Sequence, residues 1–300
     1  MLSFSPVCIE NAMQLRPYVE KQPFRFCDYT IGSIFQWRAY FSTCFAIRDD
    51  MLHVSVDYPG EGRYYSFPVG PGDVSGAFDA IEEDALSRGQ ALRFCCVPEE
   101  AVLLLEARYG ERCLLSTRRD WADYLYNAAD LIHFPGKRYH TQRNHLNRFI
   151  RDNPGARFVP VDASTLPQAI TFLDGYARHV PAHKVIEAEE MRRSKELLCY
   201  ATRLNQKAGF IETNGIVVAL AIGEVVGDTL YVHVEKARVD YAGAYQAIVS
   251  QFAAYACTEG VLYINREDDS GEEGLRYSKM AYRPIRLIDK YWAQICPVGA

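Results

Sequence analysis

The chain contains no CxxC pair, no Gly-x-Ser-x-Gly elbow, no P-loop and no HExxH helix. The first absence argues against a zinc ribbon or a redox dithiol. The others remove the α/β-hydrolase, P-loop and zincin templates. Nine cysteines, at 8, 27, 44, 95, 96, 113, 199, 257 and 296, are odd in number and irregular in spacing. They read as reduced thiols in a reducing compartment rather than as a disulfide framework. Cys95-Cys96 has apolar flanks and reads as structural rather than nucleophilic. Long apolar runs are missing as well. The most apolar stretch, 215–227, is too short to span a bilayer and carries Glu224. The first 22 residues hold Glu10 and Glu20 and no sustained apolar run. No signal peptide and no integral membrane association are therefore expected, and the cytoplasm is the expected location. Nor is positive charge in excess. The 33 Lys and Arg face 38 Asp and Glu, for a net charge of −5, so any polyanion must meet a local basic patch.

What is present suits a globular chain. Its 300 residues are 49% hydrophobic and 24% charged, which fits two domains with proper cores. Tyrosine, with 20 copies, has an apolar body and a polar tip and suits semi-buried clefts.

Periodicity sketches each half in turn. In the first, 40–47 and 51–56 read as strands around an Arg48-Asp49-Asp50 turn, with 64–69 as a third. Asp73 opens a helix ending near Gly89, 92–97 is a buried strand, and Pro98 opens a second helix ending at Gly110. A strand over 113–116 follows. The second half repeats this architecture without repeating the sequence. Thr165 to Gln168 has capping-box spacing ahead of a helix, and 187–205 is a second helix. Strands are expected at 210–212, 216–226 and 229–235, a helix with a clean apolar face near 244–255, a strand at 261–265, a helix at 274–282 and a last strand at 285–291. The fold class is therefore mixed α/β (α+β). The boundaries fall at 1–135, a basic connecting helix over 136–152, and 153–300.

Three sets of residues could carry chemistry. Between Gly136 and Arg151 stand five Lys or Arg, two His and no acid. On a helix, Lys137, His140, Asn144, Arg148 and Arg151 line one stripe, which could hold phosphates or could be a solvated helix face. Along the strand 231–235, Tyr231, His233 and Glu235 share a face; they could serve acid–base chemistry or be an ordinary paired cluster. After the strand at 261–265 come Asn265, Arg266, Glu267, Asp268 and Asp269. Their acids could bind a cationic group or cap the next helix. No metal is assigned.

The order of elements in the second half resembles the GNAT acyltransferase fold. Arg238-Val239-Asp240-Tyr241-Ala242-Gly243-Ala244 resembles, in part, the GNAT loop that cradles a pyrophosphate, with Tyr241 where a first glycine is usual. The segment 277–282, Tyr-Ser-Lys-Met-Ala-Tyr, resembles the last GNAT helix, whose tyrosine protonates the leaving group. The basic segment 136–149 is similar to the Fem-type aminoacyltransferases, and more so to the family related to the C-terminal domain of phosphatidylglycerol lysyltransferases. That resemblance also covers 26–37, 123–126 and 265–271. It implies two tandem GNAT-like domains, each with a mixed sheet flanked by helices, the first structural and the second bearing the active site.

It also implies a function: transfer of an acyl or aminoacyl group to an amine or hydroxyl acceptor. His233 or Glu235 would be the base and Tyr277 the acid. Arg238, Gly243, Ala244, Lys137, Arg138, Arg143 and Arg148 would hold donor phosphates. Asn265, Arg266, Glu267, Asp268 and Asp269 would face the acceptor. The co-substrate would be aminoacyl-tRNA, met through the basic segment, or acyl-CoA; no resident cofactor is implied. The alternative is a small-molecule binding or sensing protein on a silent scaffold.

Overall fold

A computed structural model describes residues 2–181 and 184–297. The chain divides into two compact units. In chain order the strands are β1 (Ser5–Pro6), β2 (Cys44–Arg48), β3 (Met51–Tyr58), β4 (Gly62–Ser66), β5 (Leu92–Val97), β6 (Cys113–Thr117), β7 (Asp123–Asn127), β8 (Arg157–Pro160), β9 (Lys207–Thr213), β10 (Ile216–Val226), β11 (Thr229–Ala237), β12 (Tyr263–Asn265), β13 (Arg286–Ile288) and β14 (Tyr291–Ile295). The helices are α1 (Arg16–Val19), α2 (Ile31–Trp37), α3 (Val74–Ser87), α4 (Glu99–Tyr109), α5 (Ala128–His133), α6 (His140–Asp152), α7 (Leu166–Ala177), α8 (Val185–Cys199), α9 (Ala244–Ala256) and α10 (Glu273–Ala281).

The first unit takes the chain up to Asp123, the segment Asp268–Glu272, and the chain from Ile288 on. Its sheet runs β1-β2-β3-β4-β5-β14-β6. The β2–β3 hairpin turns on Asp49 and Asp50, both with positive φ, as the tight hairpin turn demands. Asp73 caps α3 by accepting from the Ser75 and Gly76 N–H groups, which satisfies two of the four orphan donors of a helix start. The rings of Phe78, Phe94 and Tyr109 pack together behind this sheet.

The second unit holds Tyr124–Glu267 and Glu273–Leu287. Its sheet runs β13-β7-β12-β11-β10-β9-β8. Neighbours β8 to β11 pair antiparallel, whereas β11 and β12 are parallel and need a crossover. That crossover is α9. Ala247, Ile248, Phe252 and Ala256 are buried on it and join Leu230, Val218 and Ile264 in one core.

Mixed sheets flanked by helices, in two tandem halves, are the architecture expected. Four details differ. Thr165 makes no capping bond; the Asp162 carboxylate instead accepts from the Ser164 and Thr165 N–H groups. The helix begun near 187 ends at Cys199, not 205. The last expected strand is really two, β13 and β14, each in a different sheet. Finally, the units are not the linear blocks drawn from the sequence: 268–272 and the chain from 288 return to the first unit. Hydrophobic periodicity reports which residues are buried and says nothing of which sheet buries them.

Candidate functional site

In the second unit, β11 pairs with β12 only at Thr229, Leu230 and Tyr231. Beyond Tyr231 it runs on to Ala237 with its β10 neighbour, while the chain after β12 stays bonded to Tyr124 through Arg266 and Glu267. The two parallel strands thus splay, and polar side chains gather where they part. Glu235 accepts from Arg266 Nη2 at 2.5 Å. The Arg266 guanidinium lies over the Tyr282 ring at 4.6 Å and the Tyr126 ring at 5.7 Å. Burial opposes its charge, yet the adjoining Glu235 carboxylate outweighs burial and keeps it firmly protonated. Lys279 donates to the Arg266 carbonyl at 2.6 Å, and Tyr126 donates to the Lys279 carbonyl at 2.8 Å. Burial pushes the Tyr126 and Tyr282 phenols well up.

His233, two residues earlier on the same strand, is fully enclosed. Its Nδ1 lies 2.8 Å from Glu267 and its Nε2 3.1 Å from Glu224. Burial by itself would lower its pKa, but the two carboxylates outweigh burial and raise it to about 9. An imidazolium with both nitrogens engaged has no lone pair for an incoming proton. Both ring nitrogens of His233, expected as a base, are thus engaged by carboxylates in this arrangement. His233 clamps Glu267, whose backbone sits at a φ of 57° and whose N–H is held by the Asn265 side chain. Asn265, expected to face the acceptor, thereby shapes this turn.

On α10, Tyr277 is 80% exposed, whereas His233 is buried. The buried phenol of that segment is Tyr282. Lys236, the next residue on β11, pairs with Glu190 of α8 at 2.9 Å and lies over the Tyr176 ring. The Tyr176 and Tyr245 hydroxyls meet at 3.3 Å. Tyr245 also takes the backbone N–H of Ala237. Lys236, Tyr282, Lys279 and Glu224 were not among the expected site residues, although Glu224 carried a signal as the one charge in the most apolar strand.

The expected phosphate loop has other employment. Arg238 pairs with Asp240 at 2.7 Å. Gly243 takes φ 88°, and a Cβ there would stand 2.2 Å from the His145 carbonyl of α6. Close packing of α6 on the start of α9 thus explains this glycine, and Ala244 beside it is buried. On α6 itself, Gln142 and Phe149 face inward. Arg148 is exposed and shares Asp152 with Arg151. Arg138 pairs with Asp130 at 2.6 Å. Arg143 donates to the Phe134 and Gly136 carbonyls, where a cation complements the end of α5. Lys137 lies just before α6 in a short turn of 3-10 helix, exposed.

The two remaining acids belong to the first unit. Asp269 is bound by Arg119 at 3.1 Å. Asp268 lies 4.0 Å from the buried ammonium of Lys290, which also contacts Asp28 and Asp123 at 2.5 and 2.8 Å and Cys27 Sγ at 3.4 Å. Asp123 and Asp28 outweigh the burial of Lys290 and hold its pKa well above the usual value. The run 265–269 expected to face one acceptor is thus divided between the units.

The chain matches the C-terminal family of phosphatidylglycerol lysyltransferase over residues 22–294. A conserved protein of unknown function from Bacteroides thetaiotaomicron is 30% identical, with a TM-score of 0.89 over 99% of this chain and 100% of that one. L-PGS from Bacillus licheniformis shares the fold at 14% identity, with a TM-score of 0.65 over 94% and 91% of the two chains. An uncharacterized protein of Mycoplasmoides gallisepticum is 21% identical over 176 residues, 58% of this chain. The match spans only 56% of that relative's length. Among the described residues, no helix is long and apolar enough to cross a membrane.

Proposed function

Because this chain belongs to the phosphatidylglycerol lysyltransferase C-terminal family, we propose that it is an aminoacyltransferase taking an aminoacyl group from a charged tRNA to an amine or hydroxyl acceptor. The observation that carries the reading is the splay of β11 from β12 after Tyr231, which sets a charged pair, Glu235 and Arg266, at the parting of two parallel strands. Ligands of open α/β sheets favour such points. The exposed stripe of His140, Asn144, Arg148 and Arg151 on α6, with Lys137 before it, suits the donor's phosphates. Tyr277, exposed on α10, is our assignment for the proton donor to the leaving hydroxyl. The acyl-CoA alternative is less favoured, since Arg238 is paired with Asp240 and Gly243 is explained by packing.

Filter binding with charged and uncharged bulk tRNA tests the donor. Retention of charged tRNA should weaken steeply with salt, and changing Lys137 and Arg148 to Gln should reduce the log–log salt slope by about 1 to 2. Incubation of labelled aminoacyl-tRNA with fractionated cell extract then tests transfer. Tyr277→Phe should slow it by about 100-fold at unchanged thermal stability. Failure of charged tRNA to bind at low salt would sink the reading; failure of acyl-CoA to bind as well would leave the chain a non-catalytic scaffold.

A further inference from the structure

The first unit has a cavity of its own. It encloses about 320 Å³ between the chain from α1 to Phe24, the strap that follows β4 and the start of α3, with Leu104 of α4 at one side. That volume is at the lower end of what small-molecule sites hold. The walls are apolar and constrained. Met51, Phe67 and Val69 line it from the core, all buried. Phe24 stands edge-on to Phe67 at 6.0 Å and packs on Tyr29 at 5.9 Å. Gly72 seats the strap against the β2–β3 turn, where a Cβ would stand 2.1 Å from the Asp49 carbonyl oxygen. Prolines at 23, 68 and 71 fix the backbone of the lining. A wall held in this way has little freedom left to lose when a ligand fills it.

Three polar side chains line this cavity, and each presents a donor. Lys21 has no ion-pair partner among the described residues, and the Tyr18 hydroxyl has no hydrogen-bond partner among them. Gln22 Oε1 accepts from the Phe24 N–H at 2.7 Å, which orients the amide and leaves its NH2 group as a donor. The described lining holds no Asp or Glu. A cationic ligand would meet the Lys21 ammonium with no carboxylate to offset it, and a neutral one would gain nothing from that charge. Nor does the described lining hold an arginine or a second lysine, so the charge there matches a monoanion better than a phosphate dianion. We propose that this cavity binds a small hydrophobic carboxylate. Its apolar body lies against Phe24, Phe67 and Val74, and its carboxylate accepts from Lys21, Tyr18 and Gln22. The site gives the first unit a ligand of its own, where the family resemblance implied a structural role, and it does not depend on the aminoacyl-tRNA reading.

Calorimetric titration of the full chain with 4-phenylbutyrate, indole-3-propionate and octanoate, each set against its primary amide, tests the site. At pH 7 at least one acid should bind with a Kd below about 1 mM and about tenfold tighter than its amide, as a charge-assisted bond gives. The preference should shrink as salt is raised from about 0.05 to about 0.5 M, because Lys21 is exposed. Lys21→Gln should erase the preference and leave amide binding within about twofold. Leu104→Glu puts a carboxylate into the lining and should weaken the acid about tenfold, its amide much less. Leu104 is 45% exposed and Lys21 is exposed too, so both variants should fold. Equal binding of acid and amide in every pair overturns the site. So does failure of every acid to bind, or a preference that survives in Lys21→Gln.

Discussion

At the scale of single residues, the interior depends on ions held by opposite ions. Removing one member of a buried pair strands the other, and that costs more than the pair contributes. Lys290 is 1% exposed between Asp28 and Asp123. Lys290→Met should therefore destabilise the chain by about 3 to 5 kcal/mol in urea unfolding, with partial rescue by Asp123→Asn. His233 makes a pH-dependent contribution. Its folded pKa of about 9 exceeds the unfolded 6.5, so its stabilisation is complete below pH 6.5 and is lost as pH rises through 9. The rise is worth on the order of 3 kcal/mol. Denaturant midpoints measured from pH 6 to 10 should fall across this window, and His233→Gln should flatten the fall. The alternation along β11 that sets His233 beside Glu235 was legible, because a strand's period is local. The partners Glu224, Glu267 and Arg266 were not, since they come from other strands and only pairing brings them near.

At the scale of elements, α6 and α9 show why a motif needs its surroundings. Gly243 fits a phosphate loop by spacing, yet the backbone of α6 occupies the space its missing side chain leaves. Gly243→Ala would meet both a φ of 88° and the His145 carbonyl. The expected loss is about 2 to 4 kcal/mol by thermal unfolding; a loss below about 0.5 kcal/mol would show that α6 does not bear on this turn. The basic helix itself was plain in the sequence, and its inward residues Gln142 and Phe149 are seven apart, two helical turns. The break at Asp289-Lys290 was hidden, because both flanking strands share the same apolar character. What divides them is the burial of Lys290 in the first unit.

At the scale of the whole molecule, the chain does not finish one unit before starting the other. β14, near the end, lies between β5 and β6 in the first sheet and pairs with both. A chain stopped after Leu287 would leave β6 with no neighbouring strand and β5 with one open side. Such an edge exposes unpaired backbone groups and favours aggregation. The truncated chain should lose cooperative unfolding of the first unit and collect in inclusion bodies; recovery of a soluble chain with an unchanged denaturant m-value would contradict this. The sequence by itself determined the local matters, namely which segments are helix or strand, which faces are apolar, where the positive charge lies, and the family. These follow from periods of two and 3.6 residues and from motif spacing. Only the tertiary structure decided that the final strand divides between two sheets, that His233 is a held cation, that the acids after Asn265 separate, and that Arg266 pairs with Glu235. Each of these depends on which distant residues become neighbours, and burial turns such neighbours into charge states.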